Sequence, residues 1–402
     1  MIGERISIED ARRAVREEVR PVGSEPVGLV EALGRVLAED ASAPNDVPPF
    51  ASSSMDGFAL RAADTAQAPV SLPIIGEARA GAGSDVRVQA GTAIRISTGA
   101  PIPAGADAII RQELTRVDDG VVVVEEAVGV GNDIRRAGED IPAGTLILSA
   151  GTLLGPAEIG VLASVNIPRP AVARRPRIAL VSTGDELVEP GRDLGPGEIR
   201  DSNVPTLTAA ARAAGAEVIS SRRVGDDREE TVATLAAAVA GVDILITCGG
   251  VSVGPHDHVR PALARLGARE VFARVSLKPG GQVCFYVAAD GTLVFALPGN
   301  PGSALTAFRV LVVPAVYAML GRTLVQHTAR GIAGVDLPGT IGRTTVVRCH
   351  AEMHDDGWHV TPNGAQGWHI LTSMLGLPAL ALVPEDRDRL AAGEAVDIEF
   401  IA

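Results

Sequence analysis

Four loops of this 402-residue chain combine glycine with acidic or polar side chains, and three of them directly follow an apolar segment typical of a buried strand. The loops span residues 182–186, 225–227, 248–257 and 298–303. Glycines let backbone N–H groups approach phosphate oxygens, and a helix that begins after such a loop adds partial positive charge. The carboxylates suit Mg²⁺ held between carboxylate and phosphate oxygens. Although Gly, Asp and Asn also form ordinary turns, four such loops together predict a site for a phosphorylated small molecule and Mg²⁺.

A serine motif inside the third loop offers an alternative. Residues 250–254, GVSVG, match the G-x-S-x-G turn that carries the nucleophile of α/β-hydrolases. A serine hydrolase that uses Ser252, Asp257 and a later histidine is therefore a second hypothesis. The Cys248-Gly249-Gly250 turn before the serine and the Pro255-His256 pair after the segment do not suit the strand–turn–helix context of that motif, so we favour the phosphate site.

The elements that must position these loops lie between residues 174 and 325. Predicted strands alternate with predicted helices there, the strands at 177–181, 216–220, 242–246 and 293–297 and the helices at 205–214, 229–240 and 303–320. This alternation predicts a parallel α/β sheet with right-handed crossovers. Because ligands of such sheets bind beyond the carboxyl ends of the strands, we expect the four loops on one face.

The remaining segments predict smaller domains, so the fold class is α/β multidomain. Helical periodicity and a capping-box-like start at Ser7 predict a helical segment at the amino terminus, with a second apolar stripe from Leu29 to Leu37. Short apolar pieces between turn signals predict β-rich segments. We predict a helical bridging domain, a β-rich domain, the central α/β domain and a C-terminal β domain, with the boundaries 1–45 and 142–173, 46–141, 174–325 and 326–402.

Composition excludes several classes of protein. The chain has 36 basic and 49 acidic residues, a net charge of −13, and only 3% aromatic residues, which disfavours nucleic-acid binding. The longest apolar run, 310–320, is short and contains Pro314, so no membrane span is expected. The charged amino terminus has no apolar signal core, which predicts a cytoplasmic protein. The three cysteines are far apart and predict neither a disulfide framework nor a zinc site.

The same loops, with further segments, resemble the MoeA family, to which the gephyrin E domain is related. Its molybdopterin-binding domain is resembled by VSTGDEL (181–187), GDD (225–227), CGGVSVGPHD (248–257), SLKPG (276–280) and LPGNPGSA (297–304). Its second domain is resembled by PPFASSSMDGFALRAAD (48–64), IRISTGAPIPAGADAIIRQE (94–113) and IRRAGEDIPAG (134–144), and its C-terminal β-barrel by GAQGWHILTSM (364–374). The matches follow one order over nearly the whole chain.

The resemblance implies a molybdopterin molybdenumtransferase. Molybdate would be inserted into adenylylated molybdopterin, with Mg²⁺-dependent loss of AMP. It also implies an elongated homodimer built through the bridging domain, with each site between the α/β domain of one subunit and the β domain of the other. The molybdopterin adenylyltransferase is a further expected partner. A non-catalytic molybdopterin carrier on the same fold is the alternative, and the choice between molybdate and tungstate stays open.

Residue roles follow from the same resemblance, position by position. The expected catalytic residues are Asp56, Thr98, Asp140, Asp257 and Lys278, the last being the single lysine of the chain. The expected pterin and phosphate contacts are Thr183, Gly184, Gly249, Gly250, Ser252, Gly254, Arg274, Pro298, Gly299, Asn300, Pro301 and Ser303. The expected Mg²⁺ ligands are Asp185, Glu186, Asp226, Asp227 and Asp257.

Three positions depart from the family pattern. Gly281 stands where many relatives have a second lysine, which removes one expected anion contact unless an arginine replaces it. Gly302 stands where relatives often have valine, and is expected to loosen that turn. Gly367-Trp368-His369 stands where Gly-Ser-Gly or Gly-Ser-His is usual, so the role of this segment is open.

Overall fold

The computed structural model describes residues 5–251, 257–322, 328–376 and 379–400. Strands and helices are numbered in chain order. The N-terminal part contains α1 (Ile8–Glu18), β1 (Ser24–Pro26) and β2 (Ala41–Ser42). Helix α1 begins at Ser7, whose hydroxyl accepts a hydrogen bond from the Asp10 N–H at 3.0 Å.

The second apolar stripe is not a helix, so this part of the prediction is wrong. Residues 29–34 form turns that end at Gly34, whose φ of +71° is outside the helical region. Val36 and Leu37 then form isolated β-bridges with Leu153 and Val172, more than 100 residues away in sequence. Pairing with a distant segment overrides the local periodicity.

The next segment folds into a mixed sheet, as its β-rich pattern predicts. Its strands are β3 (Ser52–Ser53), β4 (Gly57–Leu60), β5 (Val70–Ala78), β6 (Ala93–Ile96), β7 (Ala108–Arg111), β8 (Thr115–Asp118), β9 (Val121–Val124) and β10 (Ile134–Arg135), with 3₁₀ turns at Ala62–Thr65 and Gln112–Leu114. The main sheet has the order β7-β4-β6-β5-β9-β8. A Cβ at Gly57 would lie 1.9 Å from the Ile110 carbonyl oxygen, so only glycine lets β4 pass this close to β7, and this fixes the neighbouring Asp56.

A small bridging unit joins the two ends of this β domain to the rest. It adds β11 (Leu146–Leu148), α2 (Pro156–Ser164) and β12 (Ala171–Ala173), and β1 pairs with β12 as β2 pairs with β11. Leu37, Leu154 and Leu162 form part of its own core. Helix α1 lies elsewhere: its Ala11 and Val15 are buried in the core of the α/β domain.

The central domain is the predicted α/β sheet with two additional edge strands. Its elements are β13 (Arg177–Thr183), β14 (Leu187–Val188), β15 (Ile199–Arg200), α3 (Asn203–Ala213), β16 (Glu217–Val224), α4 (Arg228–Val239), β17 (Ile244–Cys248), α5 (Val259–Arg265), β18 (Arg269–Phe272), β19 (Leu277–Lys278), β20 (Cys284–Val287), β21 (Leu293–Leu297), α6 (Pro301–Ala307), a π-helical turn (Phe308–Val312) and α7 (Val313–Met319). The sheet order is β16-β13-β17-β21-β20-β18. The first four strands are parallel to one another, as predicted. Strand β20 pairs antiparallel with β21 and with β18, and neither β20 nor β18 was predicted.

One continuous helix, residues 301–319, packs under this sheet. Pro314 has no N–H to donate to the Val310 carbonyl, and Arg12 of α1 donates its Nε–H to that oxygen at 2.9 Å instead. The helix is long and apolar enough to cross a membrane, but it lies mostly inside the protein, with Leu311 and Val316 fully buried. It is therefore a core helix of this domain.

The described part of the C-terminal domain has seven strands, of which five form one closed, barrel-like sheet and the other two form a separate pair. Its strands are β22 (Thr328–Ala333), β23 (Leu337–Pro338), β24 (Thr344–His354), β25 (Gly357–Pro362), β26 (Ala379–Val383), β27 (Arg389–Leu390) and β28 (Ala395–Phe400), with a 3₁₀ turn at Thr372–Met374. The predicted hairpin around Asp355-Asp356-Gly357 is confirmed as the antiparallel β24–β25 pair. Strand β19 of the preceding domain joins this sheet beside β24.

Gly302 lies where the C-terminal domain contacts the start of α6. A Cβ there would lie 2.8 Å from the Trp368 carbonyl oxygen and 2.9 Å from Nη1 of Arg348, and the Ser303 N–H donates to the same Trp368 oxygen at 3.2 Å. The expected loosening by Gly302 is therefore wrong, because the missing side chain allows a closer contact between the two domains.

Gly302→Ala should lower the melting temperature, because the added methyl group meets backbone oxygen and a buried guanidinium rather than a flexible chain end. We expect a loss of about 1–3 kcal/mol. The control is Gly160→Ala in α2, where nothing lies within 4 Å and alanine favours the helix. Thermal unfolding of both variants checks this, and a Gly302→Ala variant as stable as the parent would contradict the contact.

Candidate functional site

The carboxyl ends of β13, β17 and β21 meet in one cleft of about 670 Å³. Its walls include most of the predicted phosphate contacts: Thr183, Gly184, Gly249, Gly250, Pro298, Gly299, Asn300 and Pro301. A Cβ at Gly249, whose φ is +89°, would lie 2.6 Å from the Thr183 hydroxyl oxygen. Glycine at this position is thus what lets the loops after β13 and β17 approach each other.

Among the described residues, the cleft contains three carboxylates, Glu186, Asp201 and Asp226, and one arginine, Arg200. Asp185 stands beside them and accepts a hydrogen bond from the Asp226 N–H at 3.1 Å, which joins the loops after β13 and β16. Asp227 instead caps α4, since its Oδ1 accepts the Glu230 N–H at 2.8 Å. This capping bond accounts for an aspartate at position 227 without any bound ligand. Of the pair, Asp226 is the residue that lines the cleft.

Asp257 is half-buried just before α5. Its Oδ1 is inaccessible to solvent and has no hydrogen-bond partner among the described residues. Burial raises the pKa of this carboxyl to about 6, although the N–H groups of Arg260 and Val259 lower it in part. Predicted contacts Ser252 and Gly254, which precede it, lie outside the described residues.

Positive charge is concentrated in an adjoining pocket of about 360 Å³. Four cationic side chains line it: Arg5, Arg274, Lys278 and Arg343. None of the four has an ion-pair partner within the described parts of the chain, and the Lys278 ammonium donates to the Thr340 hydroxyl at 2.9 Å. Burial, and then repulsion by Arg5 and Arg274, lower the pKa of Arg343. Uncompensated cations at this density favour a bound anion.

The pocket and the cleft are neighbouring parts of one cavity system, because Gln282, Pro298 and Asn300 line both. Predicted contact Ser303 lines the cationic part. The site therefore places carboxylates at one end and arginine and lysine at the other, with glycine-rich loops between them.

The predicted residues of the β domain form a separate group. Oδ1 of Asp56 accepts hydrogen bonds from the backbone N–H and the hydroxyl of Thr98 at 2.6 and 3.0 Å, and these bonds lower the pKa of Asp56. Both side chains are exposed. Asp140 is exposed too, and no side-chain hydrogen bond joins it to Asp56. Between the described residues of 46–141 and of 174–322 there is no hydrogen bond or ion pair.

Sequence reasoning missed several residues of the site. Asn203 donates its amide N–H to the Gly299 carbonyl at 2.7 Å and so holds the last loop. Arg5 reaches the cationic pocket because the Ile6 N–H bonds to the Arg274 carbonyl at 3.2 Å, a pairing that no local pattern indicates. Arg343 and His369 come from the C-terminal domain, where the predicted strands carry no sign of a site.

No three carboxylate, histidine or cysteine side chains are gathered into a ready-made metal site within the described ranges. Mg²⁺ commonly uses one or two carboxylates together with substrate phosphate and water. The unpaired oxygen of Asp257 and the cleft carboxylates of Glu186 and Asp226 fit that mode of binding.

Asp257→Asn should stabilise the fold more at pH 7.5 than at pH 4.5. The folded pKa of about 6 is above the unfolded value, so the parent loses stability as the pH rises through that interval and the carboxyl ionises. The amide cannot ionise, and we expect a relative gain of about 1–2 kcal/mol. Melting temperatures of both proteins from pH 4.5 to 7.5 check this, and a difference that does not change with pH would contradict it.

Comparison with known proteins agrees with this geometry. Family models match residues 6–166 (MoeA N-terminal region, domain I and II), 179–318 (probable molybdopterin binding domain) and 330–401 (MoeA C-terminal region, domain IV). The chain is 36% identical over 409 residues to molybdopterin molybdenumtransferase 2 of Mycobacterium tuberculosis, covering 98% of each chain. It is 33% identical over 399 residues to the molybdopterin molybdenumtransferase of Haemophilus influenzae, again with 98% of each covered.

The fold is also similar to a solved structure. The crystal structure of the molybdopterin biosynthesis moeA protein from Pyrococcus horikoshii OT3 superimposes with a TM-score of 0.85 and 29% identity, covering 99% of this chain and all of that one. Sequence and structure agree over the full length, and the resemblance seen in the sequence is confirmed. The chain belongs to the MoeA family.

Proposed function

We propose that this protein inserts molybdate into adenylylated molybdopterin and releases AMP in a Mg²⁺-dependent reaction. The observation that carries the proposal is the cavity system with opposite charges at its two ends, carboxylates beside the glycine loops and four cations beyond Asn300. A phosphorylated pterin and an oxyanion need both kinds of surface. Relatives that carry the molybdenumtransferase name over their whole length support it.

The residues of the chain divide the work between them. The loops at Gly249 and Gly299 bring backbone N–H groups to the substrate phosphate. Lys278, Arg274 and Arg343 would hold molybdate, since an ammonium and guanidinium groups without acidic partners attract a divalent oxyanion. Asp257 with Glu186 or Asp226 would hold Mg²⁺, and the ion would neutralise charge on the departing AMP.

Gly281 leaves no space for the lysine that many relatives have. A Cβ there would lie 2.3 Å from the Leu277 carbonyl oxygen. Arg5 and Arg343 line the same pocket, and we propose that they supply the missing positive charge. The expected replacement of that lysine by an arginine thus stays a proposal, with Arg5 and Arg343 as the replacing residues.

We propose further that the site is completed by a second copy of the chain. Asp56 and Thr98 are exposed and already hydrogen-bonded to each other, yet no hydrogen bond or ion pair connects their domain to the α/β domain in the described residues. A two-fold homodimer can bring this pair to the partner's cleft. The domain boundaries of the sequence analysis, except for helix α1, which packs in the α/β core, belong to the same proposal, as do a cytoplasmic location and delivery of substrate by the molybdopterin adenylyltransferase.

Reconstitution tests the activity and also separates it from a carrier role. The protein is mixed with adenylylated molybdopterin, Mg²⁺ and either molybdate or tungstate, and AMP release is measured. Asp257→Asn should reduce turnover by about 100-fold or more, because the charge stabilisation of the metal is misplaced. Asp118→Asn, an exposed residue at the end of β8, is the matched control and should turn over as the parent. Binding without AMP release by the parent would identify a carrier.

Mixed dimers test the shared site. Asp56→Asn and Asp257→Asn chains, each inactive alone, are unfolded and refolded together, so random pairing makes half of the dimers mixed. In a mixed dimer with shared sites, one site collects both substitutions and the other has neither, and about a quarter of the parent activity should return. If both residues served a site within one chain, every site would carry a substitution. Because the two variants have the same mass, one of them is isotope-labelled, and mixed dimers confirmed by mass but without activity would exclude the shared site.

A further inference from the structure

Trp368 is an exposed tryptophan in the wall of the cationic pocket. Its residue surface is 58% exposed, although the chain contains only two tryptophans and 3% aromatic residues in all. An indole combines a large apolar face with a polar N–H, which suits binding sites that are open to water. The same pocket wall includes Lys278, Arg274 and Arg343.

The position of Trp368 is fixed by its backbone. The Ser303 N–H donates to its carbonyl oxygen at 3.2 Å, and Gly302 leaves the space that this contact requires. The preceding Gly367 carbonyl accepts a hydrogen bond from Nη2 of the fully buried Arg348 at 3.1 Å. The exposure of the indole is therefore set by a loop tied to both domains.

The faces of the indole are available. Within the described residues, the ring of Trp368 takes part in no aromatic pair and no cation–π contact, whereas Trp358 packs edge-on against Phe400 at 4.9 Å. Among the residues that the structure describes, no carboxylate lines this pocket to pair with its four cations. An open aromatic face beside unpaired cations suits a planar heterocycle that carries a phosphate.

We propose that Trp368 stacks on a heteroaromatic ring of the substrate, beside the cations that would hold molybdate and with the substrate phosphate at the glycine loops. The inference rests on the proposed function, since adenylylated molybdopterin has two such rings, adenine and pterin. Trp368 would then contribute to substrate affinity and to the choice of a ring-bearing phosphate over a simple one.

Fluorescence titration tests the contact directly. In the Trp358→Phe variant, Trp368 is the remaining tryptophan and reports on its own surroundings. The ligands are AMP, free pterin and ribose 5-phosphate, which has the sugar and phosphate of AMP but no ring. We expect saturable quenching by AMP, by pterin or by both, with the responding ligand identifying the ring, and no comparable quenching by ribose 5-phosphate.

Affinities of variants complete the test. By calorimetry, Trp368→Leu should weaken binding of the ring-bearing ligand by roughly 5- to 100-fold, and Trp368→Phe should restore most of it. Binding of ribose 5-phosphate should change less than about twofold. Equal affinities of Trp368→Leu and the parent for both ring ligands would overturn the proposal, as would an equal loss for ribose 5-phosphate, which would indicate a structural role.

AMP release from adenylylated molybdopterin by the parent separates this proposal from the proposed function. If the parent releases AMP but Trp368→Leu binds the ring ligands as tightly as the parent, the stacking contact is contradicted and the proposed function is not. Ring-dependent binding without parent turnover would support the contact and contradict the function.

Discussion

The site depends on how closely the loops at the carboxyl ends of β13 and β17 approach each other. The Thr183 hydroxyl occupies the space that a Cβ at Gly249 would need, with 2.6 Å between the two positions, and a Cβ at Gly250 would lie 3.1 Å from the same hydroxyl. Parallel pairing of the three central strands brings the loops to one edge. Glycine then removes the side chains that would keep the loops apart.

Electrostatics organises the space around these loops. A chain with a net charge of −13 repels anions at long range, so binding an oxyanion requires cations that are not neutralised locally. Arg274 and Lys278 come from the segment between β18 and β20, Arg343 from the C-terminal domain and Arg5 from the segment before α1. The pocket therefore forms only when three separate parts of the chain pack together. Gly302 lies at the contact between the α/β domain and the C-terminal domain.

The sequence predicts the sheet well where strands are buried on both faces. Continuous apolar runs located β13, β17 and β21, and the glycine and acid content of the loops after them predicts a site there. The short edge strands β18 and β20 were missed, since each has only four residues. Leu37 was assigned to a helix because its periodicity is helical, whereas pairing with Val172 decides its conformation. Arg5 and Arg343 could not be placed because their proximity to Lys278 is purely tertiary.

The central claim is that the cationic pocket beside the glycine-loop cleft receives the molybdenum oxyanion. Anomalous diffraction at the molybdenum absorption edge, from crystals grown with molybdate and AMP, tests it most directly. The account predicts a molybdenum peak within contact of Lys278, Arg274 and Arg343, and its loss in Lys278→Ala crystals that still show AMP. A well-occupied molybdenum peak elsewhere on the protein, with this pocket empty, would contradict it.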